Sequence, residues 1–304
     1  MISGSQEDSK QGTKKMEKRL NVLQLAVYAY VILWVIVSAF PFLWTLWGSF
    51  KIETDFFGHW SKVLSGEGTL KFTGDSIFTT IGYAVAFSPE KMFSEAVVNT
   101  LVVTAFTMLI SLTFGTIGGY ALARSTATYA FVILIVALVF RAMPHITLVS
   151  GYMRPLFEWG MHGQMWVAVV VLVAINQPFT LWMMRSFFMN VPRELDESAM
   201  IDGCSRIQGF WHVIMPVMWP GVITTGLFSF LLAYNDFTVT SALLSQENTT
   251  MIPRIAGFLG AGPVAGDQMA AVSAVVTATA PLFILIILFQ RQLVNGLTAG
   301  AVKG

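Results

Sequence analysis

Residues 96–123 read AVVNTLVVTAFTMLISLTFGTIGGYALA, twenty-eight positions without one Asp, Glu, Lys or Arg. A bilayer hydrocarbon core of about 30 Å is crossed by ~20 apolar residues in helical form. Lipid offers backbone N–H and C=O groups no partner, so such a run pairs them internally as a helix rather than as an open strand. The same test finds four more uncharged runs: Asn21–Phe50 (thirty residues), Trp159–Met184 (twenty-six), Ile207–Asn235 (twenty-nine) and Gln268–Gln290 (twenty-three). A sixth, about Thr128–Val149, is interrupted by Arg141. These runs predict an all-α membrane protein with six transmembrane helices.

Composition agrees. Of 304 residues, 55% are hydrophobic and 12% charged, where soluble domains carry about 25% charge. Mean hydropathy is +0.67. A net charge of +1 argues against a nucleic-acid binder, which concentrates basic charge, and the hydrophobicity argues against disorder. A single cysteine, Cys204, excludes an internal disulfide and a multi-Cys zinc site. The first run is too long for the core of a cleavable signal and has no evident small-residue cleavage site, so it is kept as a span.

Lys and Arg near span ends set orientation. Lys10, Lys14, Lys15, Lys18 and Arg19 precede the first run, and with that end inside, Arg124, Arg185, Arg193, Arg206, Arg291 and Lys303 also fall inside. That places eleven basic residues inside against seven outside. The expected organisation is a cytoplasmic N-terminal tail (1–20), a six-helix membrane domain (21–290) and a cytoplasmic C-terminal tail (291–304). Within the domain lie an outer loop (51–95) with ten charged residues and a long inner loop (187–216).

The inner loop is the most informative segment. From Asn190 to Pro216 it reads NVPRELDESAMIDGCSRIQGFWHVIMP. Pro192 suits a first helical turn. Glu194, Asp196 and Glu197 sit where the positive end of the helix dipole favours carboxylates. Gly203 can take the left-handed stop conformation. A second helical stretch, with Phe210 and Ile214 four apart on one face, leads to Pro216 and Pro220. A capped, partly apolar helix of this kind is either a docking element or an amphipathic helix lying on lipid.

Glu197-Ser198-Ala199, Asp202-Gly203 and Pro216 resemble the EAA loop of ABC-importer permeases, whose pattern is Glu-Ala-Ala, two residues, Asp-Gly and a later Pro. Ser198 replaces the usual Ala and Cys204 a common small residue; both substitutes are small. The end of the chain, Gln290-Arg291-Gln292-Leu293-Val294-Asn295-Gly296-Leu297-Thr298-Ala299-Gly300-Ala301-Val302-Lys303-Gly304, resembles that of carbohydrate-importer permeases of the maltose-permease-G type. Asn99-Thr100, the Tyr120-Ala121-Leu122-Ala123-Arg124 run and Tyr234-Asn235-Asp236-Phe237 add to the likeness, the last with Tyr for a usual Trp. The resemblance covers about residues 22–304.

It implies the type I ABC importer permease fold and a chain that is one of two different permease subunits. Two copies of a cytoplasmic ATPase would dock on the EAA loops, through Glu197, Ser198, Ala199, Asp202, Gly203, Phe210 and Pro216. An outer solute-binding protein would deliver the substrate. The chain itself would bind no cofactor; ATP and its Mg ion would sit on the ATPase. Consistently, no Walker sequence occurs here. Alternating access would follow if moving the docked helix re-tilts spans five and four. The expected location is the bacterial inner membrane, with both termini cytoplasmic, and the chain is expected to be no enzyme.

Polar groups in the spans are the candidates for a substrate pathway, because an ionisable residue there costs at least ~2.5 kcal/mol. Arg141 either snorkels to the outer interface or lines a pathway. Asn235 and Asp236 either clamp two helices or act on substrate. Asn176, Gln177, Tyr234 and Asn235 supply the amides and the aromatic face that a sugar requires. Gly115 and Gly119 form a small-residue face best read as helix packing. The four histidines show no i,i+4 pair, so a His-metal site is not expected. The outer segment 245–267 either touches a binding protein or merely connects spans; contact is favoured.

The leading reading is a carbohydrate or polyol importer subunit, the alternative a type I importer subunit for another organic solute. An intramembrane hydrolase would need a Ser or Asp dyad or a His-based metal site in the spans, and none stands out. A stand-alone channel would need no docking loop.

Overall fold

The computed structural model describes residues 3–56, 78–260 and 267–298. Every extended element among the described residues is helical, apart from one isolated bridge between Gly163 and Leu244. The chain divides into two compact units, residues 1–82 and 83–304.

In the first unit, α1 (Ser3–Gly48) contains the span Gln24–Gly48, with a mean hydropathy of 2.1. Pro41 lies inside it, and the Thr45 hydroxyl donates to the Pro41 carbonyl at 2.7 Å. A short helix α2 (Glu53–Phe56) follows. Phe56 tilts against Trp44 with ring centroids 5.7 Å apart, over a Gly48 that leaves no room for a Cβ. Residues 57–77 of the expected outer loop lie outside the described residues, and α3 (Ile81–Ala86) follows within that loop, across the boundary between the two units.

The second unit is built around α4 (Phe93–Arg124), α7 (Met165–Met189) and α10 (Met215–Tyr234), with α13 (Asp267–Thr298) packed on α10. The closest pairing is α4 with α7, and glycine makes it possible. A Cβ on Gly115 would lie 2.4 Å from Thr180 Cγ2, and one on Gly119 would lie 2.6 Å from Met184 Cβ. Lipid tails are as apolar as Leu, so helices in a bilayer gain from close backbone approach and interhelical hydrogen bonds rather than from burial as such. The packing reading of Gly115 and Gly119 therefore holds. Gly221 and Gly226 do the same for α10, where added carbons would strike Phe187 and Leu112.

The sixth span departs from expectation. In place of one helix over 128–149 there are two, α5 (Thr128–Ala142) and α6 (His145–Glu158), bent by 85°. Pro144 stands at the break as the N-cap of α6. A proline disfavours helical backbone at the residue before it, and Met143 is accordingly extended, with ψ 142°. Among the described residues five helices are long and apolar enough to cross a membrane, and the bent pair makes a sixth if its two arms form one span. The turn after α6 is tied down elsewhere: the Gly163 N–H donates to the Leu243 carbonyl at 2.9 Å, and Asn248 Nδ2 donates to the Gly163 carbonyl at 2.9 Å.

Other boundaries shift by less. The span expected over 159–184 begins at Met165 and runs on to Met189. The last span continues as helix through Thr298, so residues 291–298 extend it; 299–304 lie outside the described residues. The expected outer segment 245–267 contains α12 (Met251–Gly260), whose Met251 N–H donates to the buried Thr100 hydroxyl at 2.8 Å.

Candidate functional site

Between α7 and α10 the inner loop forms α8 (Glu194–Ile201), a one-turn α9 (Arg206–Gly209) and a π-helical turn, Phe210–Ile214, continuous with α10. Two adjacent end signals build the corner. The Cys204 N–H donates to the Ala199 carbonyl at 3.0 Å and the Gly203 N–H to the Met200 carbonyl at 3.1 Å. This is a Schellman end with glycine in the left-handed position, and Gly203 has φ +87°. Immediately after it, the Ser205 N–H donates to Gln208 Oε1 at 2.8 Å while the Gln208 N–H donates to Ser205 Oγ at 3.3 Å. That reciprocal capping box starts the helical run Arg206–Tyr234. Pro192 lies one residue before the N-cap Arg193, not in the first turn as expected. Phe210 and Ile214 share one buried cluster, but on π rather than α geometry.

Of the seven docking candidates, Glu197, Ser198, Asp202, Gly203 and Pro216 are exposed, while Ala199 and Phe210 are buried. Ala199 is small for a reason: a Cβ on Gly209 would sit 3.3 Å from its own, so α8 lies directly on the start of the next helix. At the corner two apolar side chains project among polar ones, Ile201 85% exposed and Ile207 72% exposed.

Beneath α8 lies a cluster that sequence reasoning missed as a unit. Tyr120 Oη donates to Asp196 Oδ1 at 2.5 Å, and Arg124 Nη2 lies 2.7 Å from Asp196 Oδ2. Arg124 Nη1 also donates to the carbonyls of Phe188 (3.2 Å) and Val191 (3.0 Å) at the end of α7. The Tyr120 ring is set between Phe188 and Phe210, with centroids at 5.4 and 4.8 Å. The signal available in sequence was the Tyr120/Arg124 spacing of four, which puts both on one helical face. Asp196 was read only as a dipole partner. A groove of about 290 Å³ opens beside the cluster, lined by Arg193, Glu197, Met200 and Arg206 among others.

The substrate-pathway candidates do not converge on one place. Asn176 and Gln177 lie in a polar seam where α4, α7 and α10 meet. There Gln177 Nε2 reaches the Ser111 carbonyl at 3.5 Å, and Thr180 Oγ1 pairs with Ser229 Oγ at 3.1 Å. Tyr234 is buried in the cluster around Phe93 and Phe258, its hydroxyl donating to the Ala278 carbonyl at 2.9 Å. That bond ties α10 to α13. Asn235 is exposed. Asp236 Oδ1 accepts the N–H groups of Val239 (3.0 Å) and Thr240 (2.9 Å), so it starts α11 (Thr238–Leu243) rather than clamping two spans. Arg141 is held against α7. Its Nη1 donates to the Ile175 carbonyl at 3.2 Å and its guanidinium lies 5.1 Å from the Phe179 ring centre.

At the far end of the unit, Lys91 pairs with Asp267 beside the Phe258 ring. A polar cleft of about 500 Å³ there includes Glu90, Ser245, Gln246 and Arg254. Burial pulls the Arg254 guanidinium below its ordinary value, and the Glu95 carboxylate opposes that shift. Among the described residues no group of three His, Cys, Asp or Glu side chains is placed to hold a metal ion.

A membrane-spanning helical unit with a rigid capped corner is the architecture of a transport permease. The chain belongs to the family of inner membrane components of binding-protein-dependent transport systems, whose pattern it matches over residues 111–298. It is similar to the trehalose/maltose transport system permease protein MalG of Thermococcus litoralis, with 30% identity covering 90% of this chain and 94% of that one. It is 32% identical to the sulfoquinovosyl glycerol transport system permease protein SmoH of Agrobacterium fabrum, over 87% and 89% of the two chains. In fold it matches a chain from the crystal structure of a bacterial ABC transporter that imports the acidic polysaccharide alginate. There the TM-score is 0.68 at 17% identity, covering 89% of this chain and 96% of that one. The protein is therefore a multi-pass membrane transport component of an ABC importer, a permease and not an enzyme.

Proposed function

We propose that this chain is one of two different permease subunits of a type I importer for a carbohydrate or polyol, and that α8 and α9 form its ATPase docking site. The supporting observation is the Gly203 corner. Two end signals three residues apart hold an apolar tip, Ile201 and Ile207, out from the helices behind it. Exposed apolar side chains on a rigid base fit a groove on a partner protein. With this corner inside the cell, both termini are cytoplasmic, and ATP and its Mg ion are held by the two ATPase copies. The polar cleft around Ser245 and Gln246 faces the opposite side, where a solute-binding protein delivers the substrate. The sugar class rests on the relatives, which are named for trehalose, maltose and sulfoquinovosyl glycerol transport. Another organic solute is the alternative. Among the pathway candidates, the Asn176–Gln177 seam is the best placed to meet hydroxyl groups. Asn176 Nδ2 and Gln177 Oε1 are buried without a hydrogen-bond partner, and such groups are costly until paired.

The test is co-purification. Tagged chain expressed with its whole importer should retain the ATPase, and Ile201→Glu combined with Ile207→Glu should release it while the permease pair stays assembled. Retention of the ATPase by that double variant would remove the docking assignment. Uptake of radiolabelled trehalose, maltose and glycerol, set against a panel of amino acids, separates the sugar reading from its alternative.

A further inference from the structure

We infer that Tyr120, Arg124 and Asp196 form the strut through which α8 moves α4 and α7 as one body. This inference rests on α8 being the ATPase docking helix. The sequence points to spans four and five as the receivers of motion, because they flank the loop. The contacts point to span two. Asp196 is the α8 side chain that reaches α4, and it does so twice, through the Tyr120 hydroxyl at 2.5 Å and the Arg124 guanidinium at 2.7 Å. Arg124 then holds the end of α7 through the Phe188 carbonyl and the chain just beyond it through the Val191 carbonyl. One planar guanidinium with several fixed donors thus joins three helices, a geometry that a lysine cannot reproduce. The Arg124 and Asp196 side chains are 16% and 18% exposed, so water screens the pair weakly.

The connection to α10 is of another kind. It passes through a π-helical turn, a wider winding often found where a helix adjusts. Pushing on α8 therefore carries α4 and α7 with it, while α10 follows through the looser turn. Tyr120 and Arg124 are positioning residues: their polar contacts run to Asp196 and to the carbonyls of Phe188 and Val191.

The experiment uses the whole importer in lipid nanodiscs, with partner subunits free of cysteine. Spin labels go on the natural Cys204 and on Ala121→Cys, an exposed position of α4. Electron-resonance distances are measured without nucleotide and with ADP and vanadate. With the strut intact, the two labels should keep one distance in both states. Asp196→Asn, which removes the charge and keeps the size, should make that distance differ between the states. The same substitution should cut binding-protein stimulation of ATP hydrolysis about fivefold, the scale of coupling carried by residues between two sites, with the ATPase still bound. Tyr120→Phe keeps the ring between Phe188 and Phe210 and should act in the same direction, so it decides the matter if Asp196→Asn is not recovered folded. Unchanged distance and unchanged stimulation in these variants would overturn the strut alone. Failure of the unsubstituted chain to retain the ATPase would overturn the docking site beneath it.

Discussion

Gly203 combines a φ of +87° with open space: a Cβ there would meet nothing within 4 Å. Any penalty for a side chain is therefore conformational and not a clash. Left-handed backbone costs an L-residue about 1–2 kcal/mol, more when the side chain is branched at Cβ, and Asn tolerates it well. Gly203→Val should consequently reduce uptake at least tenfold with membrane abundance unchanged, and Gly203→Asn should retain most of it. Immunoblot of membranes beside labelled-sugar uptake separates the two quantities; full transport by Gly203→Val would show that the corner does not couple. Gly203 was legible in the sequence because an Asp-Gly step after an amphipathic stretch is a local stop signal. The role of Asp196 was not. Three carboxylates near a helix start look alike in sequence, and only the approach of α4 selects the one that is paired. Asp236 makes the complementary case: its polarity was visible, but capping its own neighbour four residues on is a local geometry that a span-level reading overlooked.

At the level of elements, Ser205 and Gln208 cap the helical run that leads into α10. Ser205→Ala removes an acceptor from a helix start, a loss of about 1 kcal/mol, so the first turn should open more readily. Hydrogen exchange at the Gln208 amide should quicken about fivefold, the rate equivalent of that energy, while amides near Leu227 stay as protected as before. Equal exchange at Gln208 in both proteins would mean that the capping box does not hold that turn. The bent pair α5–α6 shows where element-level reading fails. Hydropathy over 128–149 is continuous, so a window average reports one span, although Pro144 disfavours helical backbone at Met143 and the chain turns there. Helix existence came from composition; helix direction came from one ring that blocks one backbone conformation.

For the molecule as a whole, the lone cysteine is a topological reporter. Cys204 sits in the corner that presents Ile201 and Ile207, half-buried and outside any disulfide. A maleimide should label it from the cytoplasmic side of membranes that hold the permeases without the ATPase. Adding the ATPase should slow that labelling about fivefold or more, since reactivity here follows access to the thiol. A membrane-impermeant maleimide applied to spheroplasts should leave it unlabelled. Labelling from outside would invert the assigned topology, and labelling from inside at the same rate with ATPase bound would move the docking surface elsewhere.

What the sequence determined by itself is what composition and short-range chemistry control. Uncharged runs of twenty-three to thirty residues span as helices because lipid leaves the backbone no other partner, and Gly203 after Asp202 marks a helix stop because glycine takes left-handed backbone at least cost. The tertiary structure alone decided which polar side chains meet. Tyr120 and Asp196 are 76 positions apart, and Tyr234 and Ala278 are 44 apart, separations at which no periodicity carries information. Those meetings depend on how closely α4, α7, α10 and α13 approach, and glycines at the α4–α7 and α10 contacts set part of that distance. Close approach inside a bilayer is a property of two surfaces at once, and no single stretch of the chain contains both.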